Sequence, residues 1–168
     1  MYVMSSENYI VINGKKAELT EEQMEALGIE TRKNPFERIE KGKEYYCIST
    51  NGEVYNYSDG RDLFDNSIYV ESNYFNDKGF AKQVALHQLL YHKLLKFAYD
   101  NGCKDTAEWN GENQHWCIYY SNSRKRFDPT WHDLAQYSYV YFSSVKGAQA
   151  AIKEVVEPFV KEHPKFVW

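Results

Sequence analysis

Residues 76–102 form the one long segment of this chain with an unbroken helical period. Asn76 and Asp77 can cap the start of a helix, and Asn101 followed by Gly102 is a typical left-handed end. At about 100° per residue, the apolar side chains fall on two adjacent stripes. The first stripe holds Phe80, Val84, Tyr91, Leu95 and Ala98, and the second holds Leu86, Leu90, Leu94 and Phe97. One sheet face can bury only one stripe, so we expect this helix to be covered on two sides, by its own chain or by a partner.

From Phe36 onward the same order of elements occurs twice. The first half is predicted to contain a hairpin, a third strand and the long helix, at residues 44–57, 67–70 and 77–101. The second half is predicted to contain the same three elements at residues 114–127, 137–142 and 144–157, with Pro158 bending or ending the last helix. Cys47 matches Cys117 at an offset of 70 residues, and Phe75 matches Phe142 at an offset of 67.

These patterns predict an α+β fold in which an antiparallel sheet has its helices packed on one face, built from a duplicated strand-strand-strand-helix unit. A small N-terminal unit precedes it: a hairpin turning at Asn13 and Gly14, then a short helix that begins in a capping box at Thr20 and Gln23 and stops at Gly28. We therefore predict an N-terminal unit at 1–34 and a main domain at 35–168, with repeats at about 36–102 and 112–163.

Composition narrows the class of protein. A chain of 168 residues makes one domain or two very small ones, and 20 basic against 24 acidic side chains create no general attraction to nucleic acid or anionic membrane. No apolar run approaches the roughly 20 residues that span a bilayer, and the first residues do not form a secretory signal. Three widely spaced cysteines indicate reduced thiols. We expect a cytoplasmic protein without a membrane partner.

Several motifs along the chain resemble a family of small proteins encoded by phages and prophages of gut Firmicutes. They are NPFER at 34–38, GKEYY at 42–46, NYF at 73–75, ALHQ at 85–88, YFSS at 141–144 and AIKEVVEPF at 151–159. The resemblance covers most of the chain and brings no catalytic motif. It implies a phage accessory protein in a bacterial cytoplasm, a setting in which proteins of this size often bind host or defence proteins.

Catalytic chemistry is disfavoured by the sequence. Cys117, His115 and Asp133 can be drawn as a nucleophile, a base and an orienting carboxylate. The first repeat, however, has Tyr45 two residues before Cys47, where this arrangement needs a histidine, and a cysteine in a core strand is usually inert. We expect no catalytic residues, although an enzyme with an unrecognised Cys/His site stays the second alternative.

Metal and cofactor binding find no support in the sequence either. His87 and His92 are five residues apart on the helix and cannot share a site, and His87 is interpreted as a core histidine. Asp59, Asp62 and Asp65 have the wrong spacing for a calcium loop and are interpreted as a solvated acidic loop. No glycine-rich phosphate loop occurs. We predict no metal and no cofactor.

Aromatic content is the unusual figure, at 17% with fifteen tyrosines. Most of these rings can pave a sheet, but tyrosine is also enriched at protein interfaces. The predicted interaction residues are Tyr119, Tyr120, Arg124, Arg126 and Trp131 on the second hairpin, and Leu86, Leu90 and Phe97 on the long helix. The expected partner is a host or defence protein, and the helix patch could also serve a homo-oligomer. Single-stranded nucleic acid is the first alternative, because arginines beside aromatic rings can bind phosphates and stack bases.

Overall fold

The computed structural model describes residues 9–12, 15–27 and 34–168 of the chain, which divides into two compact units, Met1–Glu37 and Arg38–Trp168. In the first unit, β1 (Tyr9–Ile12) pairs antiparallel with β2 (Lys15–Glu18), and α1 (Glu21–Ala26) follows. The predicted capping box is present, because Thr20 N donates to Gln23 Oε1 at 2.9 Å and Gln23 N donates to Thr20 Oγ1 at 3.3 Å. The predicted turn at Asn13 and Gly14 and the helix stop at Gly28 lie outside the described residues.

The second unit contains two hairpins and the longer helices. Its first half consists of β3 (Glu44–Ile48), β4 (Val54–Ser58), α2 (Leu63–Val70) and α3 (Lys78–Asp100). Its second half consists of β5 (His115–Ser121), β6 (Arg126–His132), α4 (Val145–Ala151), a π-helical turn (Ile152–Val156) and α5 (Glu157–Glu162). The prediction of a mixed α and β chain with a hairpin in each half is confirmed.

Helix α3 begins and ends where the sequence predicts. The Asp77 side chain accepts a hydrogen bond from Phe80 N at 2.6 Å, and Gly102 has a positive φ of 60° just beyond the last turn. Leu90, Leu94 and Ala98 are buried on its inward stripe. The helix contacts both strands of the first hairpin and also α4 and the π-helical turn, so it connects the two halves of the unit.

The third strand predicted in the first half is wrong. Residues 67–70 lie in helix α2, whose start is fixed by a reciprocal cap: Asp65 N donates to Asp62 Oδ1 at 2.9 Å, and Asp62 N donates to Asp65 Oδ2 at 3.3 Å. Apolar alternation in four residues is too short to distinguish a strand from a helix end. The two aspartate side chains accept hydrogen bonds from backbone N–H groups at the start of α2. This cap stabilises a helix at residues whose apolar alternation alone would favour a strand.

The third strand predicted in the second half is also wrong as an extended element. Residues 137–141 are irregular, because Tyr139 N donates to Tyr137 O and Tyr137 N donates to the Tyr141 hydroxyl, both at 2.8 Å. Phe142 alone joins the ladder, with bridges to Trp116 and Lys104. The single antiparallel sheet predicted for this domain does not form among the described residues; each hairpin is a separate two-stranded sheet.

Each hairpin nevertheless receives one further backbone partner at the corresponding place. Tyr46 exchanges two hydrogen bonds with Phe75, both at 2.8 Å, and Trp116 exchanges two with Phe142, at 3.1 and 2.7 Å. The next helix is capped two residues later in both halves, by Asp77 on α3 and by Ser144 on α4. The offsets are 70 residues for the strands and 67 for the bridge and the cap, as in the sequence.

The main core lies between α3, the C-terminal helices and the second hairpin. Its buried members are Leu90, Leu94, Ala98, Ile118, Val140, Phe142, Ala148, Ala151, Ile152, Val156 and Phe159. A smaller cluster of Tyr45, Cys47 and Tyr74 lies in the first half, where Ile68 of α2 packs against it. The first hairpin is therefore covered by α2 on one face and contacts α3 through both of its strands.

The last helix continues past the predicted break at Pro158. The Glu157 N–H bonds to Ile152 O, five residues earlier, so the π-helical turn changes the register before the proline and the helix runs to Glu162. The C-terminal tail then docks on α3. Gln83 donates through Nε2 to Lys165 O at 2.8 Å and accepts from Val167 N at 3.0 Å.

Candidate interaction surface

The strand alternation of the second hairpin separates the predicted interaction residues onto two faces. On β5, His115, Cys117, Tyr119 and Ser121 share one face, opposite His132, Thr130, Asp128 and Arg126 on β6. Trp116, Ile118 and Tyr120 share the other face, opposite Trp131, Pro129 and Phe127. Ile118 and Phe127 belong to the main core or pack against it, so the second face lies on that core. His115, Cys117 and Ser121 of the first face are buried as well, so both faces are covered over part of their length.

The outer end of the first face carries a cluster of Tyr119, Arg124, Arg126 and Asp128, which we call the arginine–tyrosine cluster. Arg126 Nε lies 2.9 Å from Asp128 Oδ1, and Arg124 Nη1 lies 3.1 Å from Asp128 Oδ2. Tyr119 is directly opposite Asp128 across the hairpin and is 38% exposed. The prediction that the two arginines share a face agrees with this geometry, since one carboxylate binds both.

Electrostatics of this cluster follow from the shared carboxylate. Hydrogen bonds and charge from Arg126, and then from Arg124, lower the pKa of Asp128, which keeps it ionised at neutral pH. The arginine side chains stay 59% and 63% exposed, while that of Asp128 is 13% exposed. The cluster thus presents one net positive charge, with several guanidinium N–H groups still directed away from Asp128.

Tyr120 and Trp131 do not join this cluster. Tyr120 packs on Phe127 at a ring distance of 5.0 Å, and Trp168 of the tail packs on the same phenylalanine at 4.8 Å. Trp131 is opposite Trp116 on the second face, although 43% of it is exposed. The five hairpin residues predicted for interaction therefore do not form one surface, because successive strand residues point to opposite faces.

The predicted apolar patch on α3 is wrong as well. Leu90 is 4% exposed and belongs to the main core, and Leu86 and Phe97 are partly buried against it. Residues of the second stripe pack against the C-terminal helices and the tail of the same unit. His87, interpreted from the sequence as a core histidine, is instead exposed and packs against Phe166 at a ring distance of 4.7 Å.

A buried pair of an aspartate and a histidine lies at the other end of the hairpin face that carries the arginine–tyrosine cluster. His115 Nδ1 lies 2.5 Å from Asp105 Oδ2, and the imidazole stacks on Trp109 at a centroid distance of 3.6 Å. Its Nε2 has no hydrogen-bond partner among the described residues. The carboxylate partner is Asp105 and not Asp133, the residue with which a Cys-His-Asp arrangement could be drawn from the sequence. Asp105 lies in an irregular loop ten residues before His115. A loop has no helical or strand period from which the direction of the Asp105 side chain could be predicted.

The geometry around Cys117 does not form a nucleophile. The residue is fully buried, and burial raises the pKa of its thiol to about 11, so the reactive thiolate is scarce at neutral pH. No hydrogen bond joins it to either ring nitrogen of His115. In the part of the chain that the structure describes, no three ligating side chains converge as a metal site would require.

A buried polar network in the first half was not predicted. Asp59 is fully buried and accepts two hydrogen bonds from Arg38, at 2.9 and 3.1 Å, one from Arg61 N at 2.9 Å and one from the Tyr74 hydroxyl at 3.0 Å. The Tyr45 hydroxyl donates to buried Asp65 at 2.8 Å. The interpretation of residues 59–65 as a solvated acidic loop is therefore wrong for these two aspartates. Arg38 lies 21 residues before Asp59, in the NPFER motif, and no local pattern in the sequence joins the two.

Comparisons with known proteins identify no relative: no family model, curated protein or solved structure matches the chain. Among the residues described, no helix combines the length and the apolar character that a bilayer crossing demands.

Proposed function

We propose that this chain is a non-enzymatic protein-binding module, a phage or prophage accessory protein that acts in the bacterial cytoplasm on a host or defence protein. The observation that carries the proposal is the arginine–tyrosine cluster. Tyrosine and arginine are the side chains most often responsible for binding energy at protein interfaces. Here the exposed Tyr119 lies opposite Asp128 across the hairpin, and Asp128 contacts both arginines before any partner arrives.

The chemistry of the cluster favours a partner surface that carries carboxylates. Arg124 and Arg126 contact Asp128 through one nitrogen each, so each retains N–H groups that can bind a second carboxylate. A carboxylate on the partner would meet a net positive charge, and the Tyr119 ring would supply apolar contact next to it. A proposal of inhibition fits such a surface, because occupying an acidic site on a host protein needs no catalytic group.

The buried residues support a non-enzymatic role. The thiol of Cys117 is protonated at neutral pH, and His115 is fully buried beneath Trp109, so neither group presents a reactive atom at the surface. We propose that both residues are structural. Their replacement would then affect stability and leave binding intact in the fraction that remains folded.

Single-stranded nucleic acid is the second candidate, and one observation favours it. The exposed Tyr119 lies opposite the carboxylate that contacts both arginines, and tyrosine with arginine is the mixture that stacks bases and binds phosphates. The net charge of −4 and the carboxylate already bound to both arginines weigh against it. Nucleic-acid binding would weaken steeply as salt rises, since bound phosphates release counterions.

The double variant Arg124→Glu/Arg126→Glu is expected to weaken partner binding by tenfold or more, about 1.4 kcal/mol or greater, because it reverses both charges. The partner is first captured from bacterial host lysate with and without nuclease, identified by mass spectrometry and purified for titration. The control Lys153→Glu/Lys161→Glu makes the same charge change on exposed helix positions, and Cys117→Ala tests the thiol; both should bind normally. Equal affinity of the arginine double variant and the wild type would contradict the proposal, and nuclease-sensitive capture would favour the second candidate.

We also propose that the two halves of the second unit are copies of one duplicated element. Support comes from the bridge and cap positions, which keep offsets of 70 and 67 residues, and from the burial of Cys47 and Cys117 at equivalent strand positions. The element is smaller than the sequence predicts: a hairpin, one bridging residue and a capped helix. An experimental structure should superpose the two sets with Cys47 on Cys117 and Phe75 on Phe142. Unrelated environments for the two cysteines would rule the duplication out.

A further inference from the structure

One edge of strand β4 pairs with no other strand among the residues that the structure describes. Ser49 N donates to Glu53 O, on the side of the hairpin where the two strands bond to each other. On the side of β3 away from β4, the backbone of Tyr46 bonds to Phe75, and the N–H and C=O groups of Ile48 bond to the Asn73 side chain. Antiparallel pairs alternate, so the backbone of Tyr55 and Tyr57 bonds to β3. The N–H and C=O groups of Val54, Asn56 and Ser58 therefore point outward, and no strand of the described chain pairs with them.

The corresponding edge of the second hairpin is blocked. Trp116 bonds to Phe142 on the side away from β6, so the outward backbone positions of β6 are Phe127, Pro129 and Trp131. Pro129 is the middle one and has no N–H to offer. The flanking Arg126 and Asp128 add charge to that edge. Proline and charge are the usual means by which proteins prevent edge strands from pairing.

Strand β4 has none of these protective features. Its sequence, VYNYS, contains no proline and no charged side chain, and Tyr55 and Tyr57 are each 43% exposed. The nearest charged residues along the chain are already bound within the unit: Glu53 accepts from the Tyr55 hydroxyl at 2.6 Å, and Asp59 is bound by Arg38. An exposed, uncharged edge whose outward N–H and C=O groups have no strand partner within residues 9–12, 15–27 and 34–168 is a template for another strand.

We infer that β4 pairs antiparallel with β4 of a second copy of this chain, about a two-fold axis at Asn56. This register joins the two hairpins into one four-stranded sheet, which is a more stable arrangement than two separate two-stranded hairpins. Tyr55 of one copy lies opposite Tyr57 of the other, so four tyrosine rings meet on one face of the sheet. Val54 lies opposite Ser58, and no like charges meet within the strand. The self-complementary pattern is the reason for a second copy rather than an unrelated peptide.

A charge-swap experiment tests this pairing. In the proposed register Asn56 faces Asn56 of the second copy, so Asn56→Lys alone and Asn56→Asp alone each bring like charges together. Each variant should raise the dissociation constant of the self-association at least about tenfold, and an equimolar mixture of the two should restore it. Sedimentation velocity across protein concentrations up to about 1 mM measures the association, since this covers weak specific pairs. Gln88→Lys, at an exposed position on α3, controls for the added charge.

Hydrogen exchange provides a second measurement that needs no variant. The amides of Val54, Asn56 and Ser58 should exchange rapidly at low protein concentration and become protected as concentration rises, while those of Tyr55 and Tyr57 stay protected throughout. Three outcomes would overturn the inference: a monomer at every concentration, association that Asn56→Lys leaves unchanged, or protection of these amides only when a different protein binds. The variants lie on the other hairpin from the arginine–tyrosine cluster, so this test and the partner-binding test can fail independently.

Discussion

Replacing Asp59 by asparagine is expected to lower the free energy of unfolding by about 3 kcal/mol, because it leaves the partly buried Arg38 guanidinium without its charge partner. Asp59 is fully buried, and its carboxylate is the acceptor in every hydrogen bond that it forms, with Arg38, Arg61 N and the Tyr74 hydroxyl as donors. An asparagine side chain has only one acceptor oxygen, and its amide group would meet donors. Arg38 is 17% exposed in its side chain and can partly rehydrate, which places the loss at the lower end for buried pairs.

Urea unfolding followed by circular dichroism measures this loss. Asp100→Asn is the matched control, since Asp100 pairs with Lys96 on the exposed surface of α3, and it should cost less than about 0.5 kcal/mol. Equal midpoints for the two variants would show that the Asp59 network contributes no more than a surface ion pair.

The contribution of Asp59 should also depend on pH in a defined window. Hydrogen bonds from Arg38 are the main reason that the pKa of Asp59 is lowered to about 2, against about 3.9 in an unfolded chain. A depressed folded-state pKa means that the stabilisation is present above pH 4 and is lost as the pH falls through 4 to 2. The stability difference between the wild type and Asp59→Asn should therefore be constant near neutral pH and shrink in that acid range.

Elements whose signals are local were predictable from the sequence. The N-terminal cap of α3 at Asp77, its left-handed end at Gly102 and the pairing of β5 with β6 depend on residues within a few positions of one another. The 70 and 67 residue offsets were also readable, because they are matches between one part of the sequence and another. The caps and the hairpins therefore appear in the structure where the sequence places them.

Contacts that depend on the approach of distant residues were not predictable. Leu90 lies on the second stripe of α3, and only the docking of the C-terminal helices decides that it is buried. Asp59 resembles an ordinary loop aspartate until Arg38 and Tyr74 are brought beside it by the fold. Tyr120 and Tyr119 are adjacent in sequence, yet the orientation of the hairpin relative to the core determines which of them faces outward. Helix α2 was missed because its aspartate cap looked like part of an acidic loop.

Replacing Phe142 by alanine is expected to cost about 3–5 kcal/mol of unfolding free energy, the range for removing a buried aromatic side chain. Phe142 is fully buried in the main core, among residues that come from α3, β5 and the C-terminal helices, so its removal leaves a cavity that several elements border. Phe142→Leu should cost less than about 1.5 kcal/mol, because most of the volume is retained. Guanidinium unfolding of both variants checks the difference.

The backbone of Phe142 adds a second reason to expect a large effect. It exchanges two hydrogen bonds with Trp116 and also forms a bridge with Lys104, so one residue joins β5 to the segment that follows α3. The leucine variant keeps this bridge and most of the packing, whereas the alanine variant keeps the bridge and loses the packing. If the two variants unfolded at the same denaturant concentration, the bridge would be the stabilising feature and the ring would be dispensable. A large difference between the unfolding midpoints of the two variants means that packing of the ring holds the bridging backbone in place. A single residue then takes the place of the third strand that the sequence predicts.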